Sequence, residues 1–201
     1  TYEFIEFYVL EKGNLAGLKV CSINDGPDSD YSFPPLFVNT GDLITLHLRP
    51  NTGTGEENLL ICSNELKDKK ESSASGSSQE AWDLWADNTN SRLGGTQDVI
   101  TLENQNTGKI LQCLSYSKND KNSWSKEKFQ TKTDQAFEDG TWAPDSQFEN
   151  TFFFSTSASF VRTNTEEIIK AYNQGELSYP VPADSSQWKR ITQSQVTPGK
   201  I

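Results

Sequence analysis

The sequence predicts an all-β fold, an antiparallel sandwich or barrel with minor helical insertions, and three observations carry that reading. Short segments rich in aromatic and β-branched residues recur at close spacing, turn-forming clusters separate them, and helix-compatible material is confined to the connections. Only 33% of the 201 residues are apolar while 11% are aromatic, so the core is built from few but large side chains. A chain of this length buries roughly 70% of its unfolded surface, so a single domain over residues 1–201 needs neither disulfides nor a structural metal.

Taken in order, YEFIEFYVL has strand composition, GNLAG interrupts it and GLKVCSI resumes it, which predicts a hairpin. DGPDSD is a turn-rich loop, and Pro34 and Pro35 mark entry to a short edge strand, SFPPLFV. After the Asn39–Asp42 turn, LITLHL alternates Ile44, Leu46 and Leu48 on one face with Leu43, Thr45 and His47 on the other. ENLLICS reads as a further strand. Residues 64–79 turn to Lys, Glu, Ser and Gly and predict a flexible, solvent-exposed insertion. Ser77 and Glu80 have capping-box spacing, and Trp82 and Trp85 lie one helical turn apart, so a short helix closes the insertion, or else a loop leads into a strand. DVITLEN and KILQCLSY form the clearest hairpin, turning at Gln105–Gly108. The connection over residues 119–142 lacks alternation and predicts one or two irregular helices ending near Gly140. FFFSTSASFVR returns to strand character, Asn164 opens a helix that carries Ile168, Ile169 and Tyr172 and stops at Gly175, and QWKRITQ is the last strand.

Charge and residue inventory exclude several function classes. Eighteen Lys and Arg stand against 28 Asp and Glu, a net charge of −10, which argues against nucleic-acid partners, whose phosphates need a basic face. No apolar run is long enough to span a membrane. With no Met in the chain, Thr1 is expected to follow a removed or missing upstream segment. Cys21, Cys62 and Cys113 lie in strand-like segments and read as buried thiols acting as small hydrophobes, with one bridge plus a free thiol as the alternative. His47, the lone histidine, is expected to be a satisfied or solvent-facing strand residue rather than a catalytic base. No nucleotide-binding, zinc or serine-hydrolase motif occurs, so no cofactor and no metal site is expected. Asp25, Asp28 and Asp30 sit in one loop that reads as a solvated turn, with a weak calcium loop as the alternative. Trp82, Trp85, Trp124 and Trp142 fall in or beside connections and read as anchors packed on the core, or else as a partner or glycan platform.

The run RLGGTQDVITLENQNTGKILQCLSYS resembles the central hairpin of lamin-tail domains, through Leu93, Gly94, Gly95, Asp98, Gly108, Lys109 and Tyr116. Upstream, Ile5, Glu6, Leu15 and Gly17 resemble that family's opening strands, and Trp188 with Thr197-Pro198-Gly199 its closing strand. The resemblance implies an immunoglobulin-like β-sandwich and places Tyr116 and Trp188 near the core. It also implies a secreted or cell-surface protein, anchored or free, with a signal or lipid anchor upstream of residue 1. The functional expectation is a non-enzymatic binding or structural module whose inserted loops recognise a protein or glycan partner. A carbohydrate-acting hydrolase with paired carboxylates, or an accessory domain of a larger secreted nuclease, are the alternatives.

Overall fold

The structure, a computed structural model, describes residues 3–24, 30–48, 63–72, 74, 76–86, 93–94, 97–117, 127–143, 159–191 and 195–196. Among these the strands are β1 (Phe4–Tyr8), β2 (Gly13–Asn14), β3 (Leu18–Ser22), β4 (Tyr31–Ser32), β5 (Phe37–Val38), β6 (Leu43–His47), β7 (Ala81–Trp85), β8 (Gln97–Asn104), β9 (Ile110–Ser117), β10 (Ser159–Arg162) and β11 (Trp188–Ile191). The helices are α1 (Glu127–Glu138) and α2 (Thr165–Asn173). The chain is therefore mostly β-structure in several sheets with two short helices, consistent with an all-β sandwich. It divides into two compact units, one of Thr1–Ala16, Phe33–Arg92 and Thr197–Ile201, the other of Gly17–Ser32 and Leu93–Val196.

In the first unit the sheet order is β1-β6-β7. The alternation expected over LITLHL places Ile44 and Leu46 in the core, yet Thr45 and His47 on the opposite face are buried as well. Two sequence expectations are corrected here. The segments before and after GNLAG do not pair as a hairpin: β1 runs antiparallel to β6, while β3 pairs with β4 and β8. GNLAG is long enough to contribute its own short strand, β2, which bonds to β5 and separates the two segments. The Trp82–Trp85 segment is not a helix but β7, which lies parallel to β6 with His47 opposite Trp85. Both sheet partners of β6 are distant in sequence, so the alternation that local spacing obscured is imposed by tertiary pairing. A parallel pair needs a long crossover, and the residues between β6 and β7 supply it, so this sheet departs from the purely antiparallel expectation.

The second unit has the order β4-β3-β8-β9. The predicted β8–β9 hairpin forms, with Asn104 Oδ1 accepting from the amides of Asn106 and Thr107, and Gly108 at φ +70° closing the turn. That left-handed conformation is the reason glycine stands there. The predicted helical connection contains α1, which buries Phe129, Thr133 and Ala136 from successive turns. Its stripe completes a core of Val99, Ile110, Cys113, Trp142 and Ala183. The helix predicted after Asn164 is α2, with Ile168, Ile169 and Tyr172 half-buried. Tyr116 is fully buried, as the resemblance implies, whereas Trp188 is only half-buried.

Candidate functional site

The densest buried polar group in the first unit surrounds the lone histidine. His47 Nε2 lies 2.6 Å from Asp83 Oδ1, and both side chains are sealed, at 2% and 0% exposure. A carboxylate only accepts, so Nε2 carries the proton and donates it. The parallel register of β6 and β7 brings the imidazole face to face with Trp85, with ring centroids 3.9 Å apart and planes 10° from parallel. The other carboxylate oxygen of Asp83 accepts the Ser78 amide at 2.7 Å. Among the described residues no serine or cysteine hydroxyl or thiol hydrogen-bonds to the imidazole. The pair has the geometry that orients a catalytic histidine, but its ring lies under an indole rather than in a cleft.

The segment expected to be a free insertion is tied to this group. Glu65, with no exposed surface, takes the Asp83 amide at 2.7 Å on one oxygen and the Ser72 amide at 3.0 Å on the other. The Glu65 amide donates to the Asp83 carbonyl, and Asn64 Oδ1 accepts the Trp85 amide at 2.6 Å. These side chains occupy the edge of β7 that a further strand would otherwise seek. Burial, reinforced by the charges of Asp83 and Glu71, pushes the Glu65 carboxyl above its usual range, against the two amides that pull it down. Lys67 and Lys70 remain exposed, whereas Lys69 donates to Asp42 Oδ1 at 2.8 Å and lies over the Trp82 ring. Trypsin is expected to cut after Lys67 or Lys70 before Lys132, and Glu65→Ala to speed that cut at least fivefold. Equal digestion rates by mass spectrometry would show that Glu65 does not hold the segment.

In the second unit two carboxylates organise the polar contacts. Asp98 accepts four hydrogen bonds: the Asn24 and Val99 amides on Oδ1, and the Ser22 hydroxyl and Gly94 amide on Oδ2. Tyr116, directly opposite on β9, donates its hydroxyl to the Gly94 carbonyl at 2.8 Å. A Cβ on Gly94 would lie 2.2 Å from the Gln97 carbonyl oxygen, so only glycine fits that approach. Farther along β8, Glu103 bonds Lys132 at 2.6 Å and faces Lys19 at 3.6 Å, while Lys19 pairs with Asp30 at 3.0 Å. Burial opposes ionisation of Glu103, but the Lys132 and Thr101 hydrogen bonds and the charges of both lysines hold it below the usual carboxylate range. A depressed carboxyl contributes stability that is present above its unfolded value near pH 4 and is lost as pH falls through its folded value. Lys132→Met is therefore expected to cost about 2 kcal/mol at pH 7 and to become nearly neutral at pH 2, in denaturant titrations at the two pH values. An equal cost at both would assign the loss to packing.

The comparison with known families is decided by one match. A family model described as a protein second domain, named for TP_1001, covers residues 1–190. The chain belongs to this TP_1001 second-domain family. A 115-residue stretch is also 30% identical to an uncharacterized protein of Treponema pallidum (strain Nichols), covering 57% of this chain and 27% of that protein. The matched stretch thus spans about a quarter of that relative's length. No solved structure matches the chain.

Within this member of the TP_1001 second-domain family, the residues singled out from sequence fall into three groups. Some are buried anchors. Trp85 and Trp142 are almost wholly inaccessible, and Trp82 is half-buried with its indole donating to Asp42. Cys21 and Cys113 are free and buried, on either side of Thr101 across the sheet; burial pushes the Cys21 thiol up to about 12, and raises Cys113 too. Others form the Asp98 knot just described: Gly94, Asp98 and Tyr116, all from the lamin-tail-like run. A third group, Asp25, Asp28, Cys62, Gly95, Trp124 and Thr197-Pro198-Gly199, lies outside the described residues, as do ENLLICS apart from Ser63 and most of FFFSTSASFVR. Asp30, the described member of the acidic loop, is committed to Lys19. Among the described residues no three His, Cys, Asp or Glu side chains converge as a metal site, and no helix is long and apolar enough to cross a membrane. Sequence reading missed Glu65 and Asp83, because nothing in a polar Ser-rich run distinguishes the one carboxylate that turns inward.

Proposed function

We propose that the chain is a non-catalytic binding or structural module of lamin-tail type, carried by a secreted or cell-surface protein and recognising a protein or glycan partner. The observation that carries this reading is the fate of its lone histidine. His47 is spent on a buried bond to Asp83 under the Trp85 ring, where it has no contact with solvent through which to exchange a proton with a substrate. The most buried carboxylates are likewise consumed by backbone amides or lysines. A family described as a second domain, and a relative of which the match covers only 27%, fit a part that works inside a larger protein. The secreted or surface setting rests on the lamin-tail resemblance.

The test is a screen of purified protein against polysaccharide, peptide, phosphodiester and ester substrates, with and without Ca²⁺. No turnover above that of a heat-denatured control is expected. Turnover abolished by changing a single Asp or Glu to its amide would replace the module reading with the carboxylate-pair hydrolase.

A further inference from the structure

One ion pair in the second unit has a third group placed as a reaction would need it. Lys19 lies on β3, directly opposite Glu103 on β8. Asp30 is the residue before β4, the strand that flanks β3 on its other side. Lys19 Nζ lies 3.0 Å from Asp30 Oδ2 and 3.6 Å from Glu103 Oε2. The Glu103 side chain is sealed, at 4% exposure, while those of Lys19 and Asp30 keep 28% and 19%. Lys132 at 2.6 Å and the Thr101 hydroxyl at 2.5 Å both donate to Glu103 Oε1, which leaves Oε2 facing Lys19.

An amine, a carboxyl group in contact with it and a second, buried carboxylate are the parts of an amide-forming centre. Groups held in contact act at an effective concentration on the order of 10⁵ M, which offsets much of the barrier to a condensation that free groups in water do not undergo. Burying the charged pair also costs desolvation, and the amide that would replace it carries no charge. Burial opposes the Lys19 charge, but the Asp30 hydrogen bond outweighs it and holds the ammonium well above its usual range. The nitrogen therefore needs its protons taken before and during attack, by Asp30 across the bond they share and by Glu103 on the neighbouring strand.

We infer that Lys19 and Asp30 condense into an intramolecular amide, a cross-link between β3 and the start of β4, with Glu103 as the proton carrier. One proton passes from Nζ to Asp30 through their hydrogen bond, giving a neutral amine and a carboxylic acid. The Nζ lone pair then forms the bond to Cγ. Glu103 Oε2 takes a second proton from the nitrogen and hands it to the hydroxyl on Cγ, the C–O bond breaks and water leaves. Two of the three ammonium protons and one carboxylate oxygen make up that water. Nothing is oxidised or reduced, and Glu103 ends as the carboxylate it began as. The event occurs once per molecule and is not turnover, so it goes beyond the module reading and is tested apart from it.

The test is the mass of the intact, purified chain, followed by tryptic peptide mapping. The chain is expected to be lighter than its sequence mass by one water, and the loss to lie in a peptide that begins at Gly13 and is uncut after Lys19. Fragmentation should place the cross-link between Lys19 and Asp30. Asp30→Ala should carry its full sequence mass and be cut normally after Lys19; its side chain is partly exposed and bonded to Lys19, so the fold is not at stake. Glu103→Gln, with its fold checked by far-ultraviolet spectrum, should be purified largely at full mass and form the cross-link at least tenfold more slowly. Full mass in the parent chain overturns the amide. Loss of water with normal cutting after Lys19, the mark of a succinimide at Asp25-Gly26 or Asp139-Gly140, overturns it too, as does a cross-link that persists in Asp30→Ala. A folded Glu103→Gln chain cross-linked as fully as the parent overturns the part given to Glu103.

Discussion

Asp98→Ala is expected to be the most damaging single substitution in the second unit, costing about 4 kcal/mol and lowering the melting temperature by roughly 12 °C. Four donors lose their acceptor at once: three backbone amides and the Ser22 hydroxyl, around a carboxylate with no exposed surface. Two of those amides, Asn24 and Gly94, belong to the ends of segments that β-pairing does not hold, so the loss releases the approach to β8 as well as orphaning donors. Asp98→Asn separates these effects. The amide keeps one oxygen for Asn24 and Val99 but turns an NH₂ toward the Gly94 amide, donor against donor, while the Ser22 hydroxyl can reverse and accept. It also removes a charge whose burial pushes the Asp98 carboxyl upward in spite of its four donors. About half the alanine cost is expected for asparagine, measured by urea denaturation at pH 7. If alanine and asparagine cost the same, the loss comes from the charge and not from the count of acceptors.

The same knot shows what the sequence makes legible. Strand content, the β8–β9 hairpin, α1 and α2 are readable because they rest on local signals: alternation, the Gln-Asn-Thr-Gly turn, caps and stops. The glycine, aspartate and tyrosine of the lamin-tail-like run were visible as a spacing, and the structure gives that spacing a physical meaning, since Asp98 and Tyr116 take the amide and the carbonyl of Gly94 from two strands. What local signals do not contain is which strand pairs with which. Ser77 with Glu80 and Trp82 with Trp85 have helical spacing, and the parallel alignment on β6 overrides it. The hydrogen bonds of Arg162 to Asn164, Pro182 and Gln187 were illegible for a related reason, because Pro182 and Gln187 lie 20 and 25 residues farther along the chain and none of the three has a distinctive sequence context.

Asp83→Ala is expected to cost the first unit about 4 kcal/mol, through the imidazole and the Ser78 amide that it leaves without an acceptor in a dry site. His47→Ala should cost less, about 3 kcal/mol, mostly as the cavity beneath the Trp85 ring and the lost stack. The double variant distinguishes a structural pair from two independent residues. If the 2.6 Å bond is what makes each partner necessary, removing both leaves no orphaned imidazole, and the combined cost should fall short of the sum by about 2 kcal/mol. Asp83 has a second duty that the histidine does not share, since its other oxygen holds the Ser78 amide, and this bond, unlike the backbone bonds of residue 83 to Glu65, is lost in the alanine variant. The aspartate variant alone should therefore increase tryptic cutting after Lys67 and Lys70, while the histidine variant leaves that cutting near its original rate. Full additivity of the two costs in urea denaturation would overturn the paired role, and equal proteolytic sensitivity of the two variants would show that residues 64–79 are held by the folding of the whole unit rather than by the Asp83 side chain.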